Sequence, residues 1–253
     1  MKGVILAGGL GTRLQPMTRV TNKHLLPVYD RPMIYFPIQQ LVNAGVEDIL
    51  LVAGGESAGD FLRLLGNGSG FGLRHLNYTY QNGEGGIAEA LGLARHFADG
   101  EPIVVILGDN IFQDPLEPAI RAFQDSPEGA MILLKEVPDP ERFGVVRFEG
   151  DRIAEVIEKP PIPPSNLAVT GCYLYDHRVF EIIDGLTRSD RGELEITDVN
   201  NRYLSWGGLR HHVLKGWWTD AGTVESLYRA TSLVAEDGEN AVLHTHEQPT
   251  GNA

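Results

Sequence analysis

Three features of the sequence predict an α/β protein with a doubly wound, mostly parallel mixed sheet. Strand-length runs nearly continuous in Val, Ile and Leu alternate with amphipathic helical segments through the first half. Strands patterned this way are buried on both faces, so helices must cover both. The second half is richer in short strands, and the first apolar run breaks directly into a glycine-rich loop, AGGLGTRL. Open α/β sheets bind their ligands at such a strand end.

In chain order, KGVILA, DILLVAG, LNYTYQ and IVVILGD read as strands. Between them, MIYFPIQQLVNAG reads as a helix closed by Gly45, a residue suited to the left-handed position after a helix. SAGDFLRLLG places Ser57 as a candidate N-cap and Gly66 at the end. IAEALGLARHF reads as one helix with Ile87, Leu91, Ala94 and Ala98 on one face. Beyond these, GAMILLKEV, FGVVRFE, RIAEVIEK, LAVTGCYLY and LRHHVLKG read as strands separated by turn residues. HRVFEIIDGL, ITDVNNRYLSWG and TVESLYRATSLVAEDG read as helices, the last with Val224, Leu227, Tyr228, Thr231 and Val234 as its apolar stripe. The prolines at 160–164 read as a stiff surface loop. The pattern gives one domain over 1–236, with an alternating α/β half to about 135 and a strand-rich half after it. Residues 237–253 turn polar and aperiodic and read as a flexible tail.

Composition narrows the function classes. A formal net charge of −13 excludes nucleic acid, whose phosphate backbone demands clustered Lys and Arg. No apolar run reaches membrane-spanning length, and the start of the chain lacks the long apolar core of a signal peptide. Cys172 is the single cysteine and sits in an apolar strand, so a reducing, cytoplasmic setting is expected.

The chemistry sits at strand ends. In AGGLGTRL the third glycine of a dinucleotide fingerprint is replaced by Leu14, and no Gly-Lys-Ser/Thr follows, so neither familiar phosphate loop is present. Backbone N–H groups of the remaining loop can face phosphate oxygens, with Arg13 adding a charge-assisted contact. A tight strand-to-helix turn with a surface arginine is the plainer alternative. Lys23 follows ten residues on and is either a second cation on the same polyanion or a surface lysine. VVILGDN puts Asp109 just past a strand, where it suits either a Mg²⁺ ligand beside phosphates or a helix cap. GWWTDAGT supplies a second such acid, Asp220. Gln81 ends a strand before a glycine-rich loop through Gly86, and its amide could meet a base edge.

Together, ILAGGLGTRL, NKHLLPVYDRPMIYFPI, QNGEGGIAEALGLA, LGDN, DPERFGVV, EKP, AVTGCYLYD, RGELEITDVN and WTDAGT resemble the sugar-1-phosphate nucleotidylyltransferases, or sugar-nucleotide pyrophosphorylases. The similarity runs from residue 1 to about 235 and is greatest to members acting on dTTP and α-D-glucose 1-phosphate. It implies a Rossmann-like nucleotidyltransferase fold with a nucleotide-binding half over about 1–135 and a sugar-binding half over about 136–236. It further implies dTDP-glucose and pyrophosphate as products, a place in deoxysugar synthesis such as that of dTDP-rhamnose, and a homo-oligomer. It also implies the site. Leu6, Gly8, Gly9, Gly11, Thr12, Arg13, Gln81, Gly86 and Asp109 would hold the nucleotide. Asn110, Gly144, Glu158, Lys159, Val169 and Thr170 would hold the sugar phosphate. Arg13, Lys23 and Lys159 would be catalytic, and Asp109 and Asp220 would bind Mg²⁺. Two positions depart from the longer members: His24 replaces their usual Gln and Phe143 their usual Tyr. Their C-terminal extension, which helps build an allosteric site, has no counterpart in the given sequence.

Uridylyl or cytidylyl transfer stays open within this reading, because a Gln amide can turn to suit either pyrimidine edge. A GT-A-type glycosyltransferase would need D-x-D where LGDN stands. A catalytically inactive sugar-phosphate sensor is the third alternative.

Overall fold

The computed structural model describes residues 1–55 and 57–237. Its elements in chain order are β1 (Lys2–Ala7), β2 (Pro27–Val28), β3 (Arg31–Pro32), α1 (Tyr35–Asn43), β4 (Asp48–Gly54), α2 (Ala58–Leu65), β5 (His75–Gln81), α3 (Ile87–Gly92), α4 (Arg95–Ala98), β6 (Ile103–Leu107), β7 (Asn110–Phe112) and α5 (Glu117–Gln124). They continue with β8 (Ala130–Glu136), β9 (Gly144–Glu149), β10 (Arg152–Glu158), β11 (Leu167–Tyr175), α6 (Val179–Asp184), α7 (Ile196–Ser205), β12 (Leu209–Val213), β13 (Trp218–Asp220) and α8 (Val224–Asp237).

Because side chains alternate across a strand, β1 feeds two cores. Ile5 and Ala7 pack with Ile38 and Leu41 of α1, Phe61 of α2 and Phe123 of α5. Val4 and Leu6 pack on the other face with Leu91 of α3, Val179 and Ile183 of α6 and Val199 of α7. Each fully buried side chain of this size contributes about 1.5–3 kcal/mol, so both faces are closed by helices, as the doubly wound class requires.

The nine-stranded sheet runs β10-β9-β11-β6-β1-β4-β5, and β8 pairs with both β11 and β12. From β6 to β5 every pair is parallel, with Gly3 opposite Ile49 and Val104. β11 enters antiparallel to β6, with Cys172 opposite Ile106, and joins the strand-rich second half to the parallel run. The segments flanking the proline loop thus lie in one sheet, with β9 between them, and Ile162 at its tip is exposed.

Several local expectations are corrected. IAEALGLARHF is not one helix: α3 ends at Gly92 and α4 begins at Arg95, because glycine is a weak helix former and the chain turns there. The Ser57 side chain makes no capping bond. The α8 stripe is rotated. Ser226, Ala230 and Val234 are buried, whereas Tyr228 is 76 % exposed. The small Ser and Ala side chains let the helix approach the cluster of Val28, Met33, Phe36 and Ile111. Cys172 is buried, and burial pushes its thiol far above its ordinary range. Among the described residues no helix is long and apolar enough to cross a membrane. The tail read at 237–253 falls outside the described residues except for Asp237.

Candidate active site

β1 and β6 are adjacent and parallel, so their carboxyl ends open at one sheet edge. The glycine loop leaves β1 there, with Gly9 and Gly11 at positive φ of 87° and 63°. A side chain at either φ would be strained. The loop is held from behind by Thr18, whose hydroxyl donates to the Gly11 carbonyl at 2.7 Å. From in front, Leu10 N–H donates to Glu84 at 2.9 Å.

Asp109 follows β6 by two residues, and no helix starts there. The next element is β7, which pairs antiparallel with β13 so that Asn110 lies opposite Asp220. The Ala221 N–H donates to the Asp109 carbonyl at 2.8 Å. This ribbon brings together two acids far apart in sequence. A Cβ built on Gly222 would stand 3.4 Å from Asp109 Oδ2, 3.7 Å from Asp220 Oδ2 and 3.3 Å from Arg13 Nη2. Both carboxylates and the loop arginine therefore surround one small space.

Each acid already has a cation. Lys23 Nζ lies 2.5 Å from Asp109 Oδ2, with both side chains nearly buried. Burial would raise the Asp109 carboxyl, but Lys23, the adjacent His24 and the Asn110 amide outweigh it and hold the group well below the usual carboxylate range. Asp220 is shifted the opposite way. Burial first, and the neighbouring Asp109 second, push it up against Arg142 and Arg13. Arg142 Nη2 lies 3.3 Å from Asp220 Oδ1, and its Nη1 is 2.6 Å from Asp139 Oδ2.

His24 is buried with its Nδ1 2.7 Å from Asn22 Oδ1. Burial, then the Lys23 charge, lower its pKa to about 3, so the ring is neutral near pH 7. Asn22 in turn bonds the carbonyls of Ala7 and Gly54. His24 thus braces the loop against the sheet edge.

On the other side, β9, β10, β11 and α7 meet. Glu158 Oε2 accepts from the Thr197 hydroxyl at 2.7 Å, and Glu158 Oε1 faces Lys159 at 3.2 Å and Arg191 at 3.3 Å. Lys159 has a positive φ of 42°, uncommon for a non-glycine residue and often found at functional sites. Its N–H is fixed by the Phe143 carbonyl at 3.0 Å. Loop 186–195 ties this side to the base of α3: Leu194 N–H donates to Gly85 O at 2.8 Å, and Ala88 N–H to Leu194 O at 3.2 Å.

One cavity of about 680 Å³ joins the two sides. Arg13, Lys23, Arg142, Lys159 and Arg191 all line it. Residues 2–237 match the family described as nucleotidyl transferase.

The chain belongs to the nucleotidyl transferase family.

Two curated relatives are both named glucose-1-phosphate thymidylyltransferase. That of Neisseria meningitidis is 45 % identical over 238 residues, which are 92 % of this chain and 82 % of the relative. That of Mycobacterium tuberculosis is 44 % identical with the same coverage. Among solved structures, a Bacillus anthracis chain assigned as a glucose-1-phosphate thymidylyltransferase, in complex with sucrose, is 52 % identical. It superposes with a TM-score of 0.88, covering 92 % of this chain and 94 % of that one. A UDP-glucose pyrophosphorylase complexed with UDP-glucose is 25 % identical at a TM-score of 0.82, covering 93 % of this chain and 98 % of that one.

Most of the residues expected at a nucleotidyl transferase site converge. Leu6, Gly8, Gly9, Arg13, Lys23, Gln81, Gly86, Asp109, Asn110, Gly144, Glu158, Lys159, Val169 and Asp220 line the cavity. Gly11, Thr12 and Thr170 do not. Thr170 is fully buried and donates to the Leu133 carbonyl at 3.0 Å, on the opposite side of β11 from Val169. Asn110 is committed elsewhere. Its Nδ2 donates to Asp109 Oδ1 at 2.9 Å, and its Oδ1 accepts from Gly171 N–H and Trp218 Nε1 at 2.9 and 2.7 Å. It therefore sets the angle of Asp109. Arg142 and Arg191 also line the cavity and were not singled out from sequence. Both lie in matched segments, DPERFGVV and RGELEITDVN, where an arginine among acids was the available signal.

Proposed function

We propose that this chain transfers the thymidylyl group of dTTP to the phosphate of α-D-glucose 1-phosphate, giving dTDP-glucose and pyrophosphate. The observation that carries the reading is the convergence of Arg13, Lys23, Asp109 and Asp220 at one end of a cavity whose other end holds Lys159 and Glu158. In this reading Gly8, Gly9, Gly11, Thr12 and Arg13 gather the triphosphate, Thr12 through its backbone. Gln81 and Gly86 meet the base, while Lys159 meets the sugar phosphate and Glu158 a sugar hydroxyl. Asn110 acts by positioning Asp109, and Thr170 only through its backbone.

The attacking phosphate monoester has its second pKa near ~6 and is already deprotonated at neutral pH, so no protein base is needed. The side chains instead offset repulsion between two anions. Lys159 holds the acceptor phosphate in line, while Arg13 and Lys23 stabilise charge on the α-phosphate and departing pyrophosphate. Asp109 and Asp220 fit Mg²⁺, since the ion commonly takes one or two carboxylates plus substrate oxygens and Gly222 leaves the space between them clear. When bound there, Mg²⁺ supplies Lewis-acid neutralisation of phosphate charge. Among the described residues no group of three or more His, Cys, Asp or Glu gathers for a metal, so substrate oxygens would complete its shell.

Pyrophosphate release from a panel of nucleoside triphosphates against a panel of sugar 1-phosphates tests the reading. Turnover should be greatest with dTTP and glucose 1-phosphate, and absence of turnover with that pair refutes it. Uridylyl transfer is the second reading, favoured by the likeness to UDP-glucose pyrophosphorylase, and is separated in the same panel. Asp109→Asn and Asp220→Asn should each lose most Mg²⁺-dependent turnover while remaining folded. Assembly as a homo-oligomer belongs to the same reading and is measured by light scattering.

A further inference from the structure

Gln81 ends β5 and is nearly buried. Its amide nitrogen faces two acceptors, the Gly86 carbonyl at 3.4 Å and Glu89 Oε1 at 3.5 Å. Glu89 lies on the first turn of α3, does not line the cavity, and is clamped by Arg188 through its other oxygen. Arg188 is itself fixed by the Gly192 carbonyl at 2.7 Å. A carboxylate and a carbonyl only accept hydrogen bonds, so the amide can turn only its NH₂ towards them. The half-turned amide would set Oε1 against two oxygens. The Gln81 oxygen is thereby aimed to the other side, towards Gly8, where a Cβ built on that glycine would stand 2.6 Å from it.

The group shown to the cavity is therefore an acceptor. Thymine and uracil carry an N–H at ring position 3, whereas cytosine carries a bare nitrogen acceptor there. We infer that Glu89, clamped by Arg188, is a base-selecting positioning residue: it locks the Gln81 amide so that the site accepts pyrimidines with an N3–H and rejects cytosine. The inference rests on the proposed function, in which Gln81 meets the base. It sharpens that reading, because an unlocked glutamine could serve either edge.

The test compares kcat/KM for dTTP, UTP and dCTP, with glucose 1-phosphate as acceptor, in wild type, Glu89→Gln and Arg188→Gln. A polar site built for one edge rejects the wrong one by roughly 100-fold or more, so wild type should prefer dTTP and UTP over dCTP by at least that. In Glu89→Gln, whose amide can donate as well as accept, the preference over dCTP should narrow at least ~10-fold. The change should lie in KM, with kcat for dTTP nearly kept. In Arg188→Gln, which loosens Glu89 without touching Gln81, a smaller narrowing of ~3-fold is expected. A merely structural role would lower turnover with all three nucleotides alike. An unchanged selectivity ratio, in whichever of the two variants folds, overturns the inference. A wild type that prefers dCTP also overturns it, while leaving nucleotidyl transfer standing. A wild type inactive with every pyrimidine triphosphate refutes the proposed function itself and the inference with it.

Discussion

Replacing Lys23 by Met removes the cation on Asp109 while keeping most of the side-chain volume. At their 2.5 Å separation and an effective dielectric of about 20, the attraction is about 6–7 kcal/mol. Much of it offsets the desolvation of two nearly buried charges. What matters for the variant is the carboxylate left behind. Asp109 keeps its bond from Asn110 and the more distant Arg13, so Lys23→Met should cost about 3 kcal/mol, the low end for breaking a buried pair. Asp109→Asn removes the charge, and the freed Lys23 can reach solvent along its flexible stem, so about 1–2 kcal/mol is expected. The double variant has no stranded charge. Its cost should fall short of the sum of the singles by about 2 kcal/mol. Urea unfolding of all four proteins in metal-free buffer, followed by both fluorescence and circular dichroism, measures this coupling. Additivity within about 0.5 kcal/mol would refute the account of Asp109 as a carboxylate held ionised by Lys23.

Other predictions follow from the same geometry. His24 stays neutral in the folded protein down to about pH 3, whereas the unfolded chain takes up its proton near pH 6.5. The unfolded state thus binds more protons, and stability falls with acidification by about 1.4 kcal/mol per pH unit between those values. His24→Gln should lose that slope, and unfolding curves at pH 6 and pH 5 that stay parallel to wild type would contradict it. Gly222→Ala puts a methyl between the two acids at a glycine without a left-handed φ. Its melting temperature should hold while Mg²⁺-dependent turnover falls at least ~10-fold, and wild-type turnover would refute the cradle. Asp176, which does not line the cavity, accepts from Gly129 N–H, Tyr203 hydroxyl and Arg178. Asp176→Asn should therefore cost about 2–4 kcal/mol in urea unfolding while kcat per folded molecule is unchanged.

The long apolar runs carried most of the fold. KGVILA and DILLVAG form strands with the bounds read from sequence, because a doubly buried strand leaves a continuous apolar signal. β7 and β13 were not read. Three residues hold no periodic signal, and each strand is specified only by its partner more than a hundred positions away. That ribbon joins Asp109 to Asp220, so the acids were legible as candidates and their meeting was not. Gln81 was legible as a candidate base contact, but its amide orientation depends on Glu89 and Arg188, which tertiary packing supplies. The rotated face of α8 shows the same limit: burial followed the small Ser226 and Ala230, whereas hydropathy ranked Tyr228 above them.

In the proposed mechanism, charge gathering around two phosphates suffices and no covalent intermediate forms on the protein. The stereochemical course at the α-phosphorus tests it most directly, using a nucleoside triphosphate made chiral there by sulfur substitution. A single in-line displacement predicts inversion in the sugar nucleotide, and net retention would contradict the account.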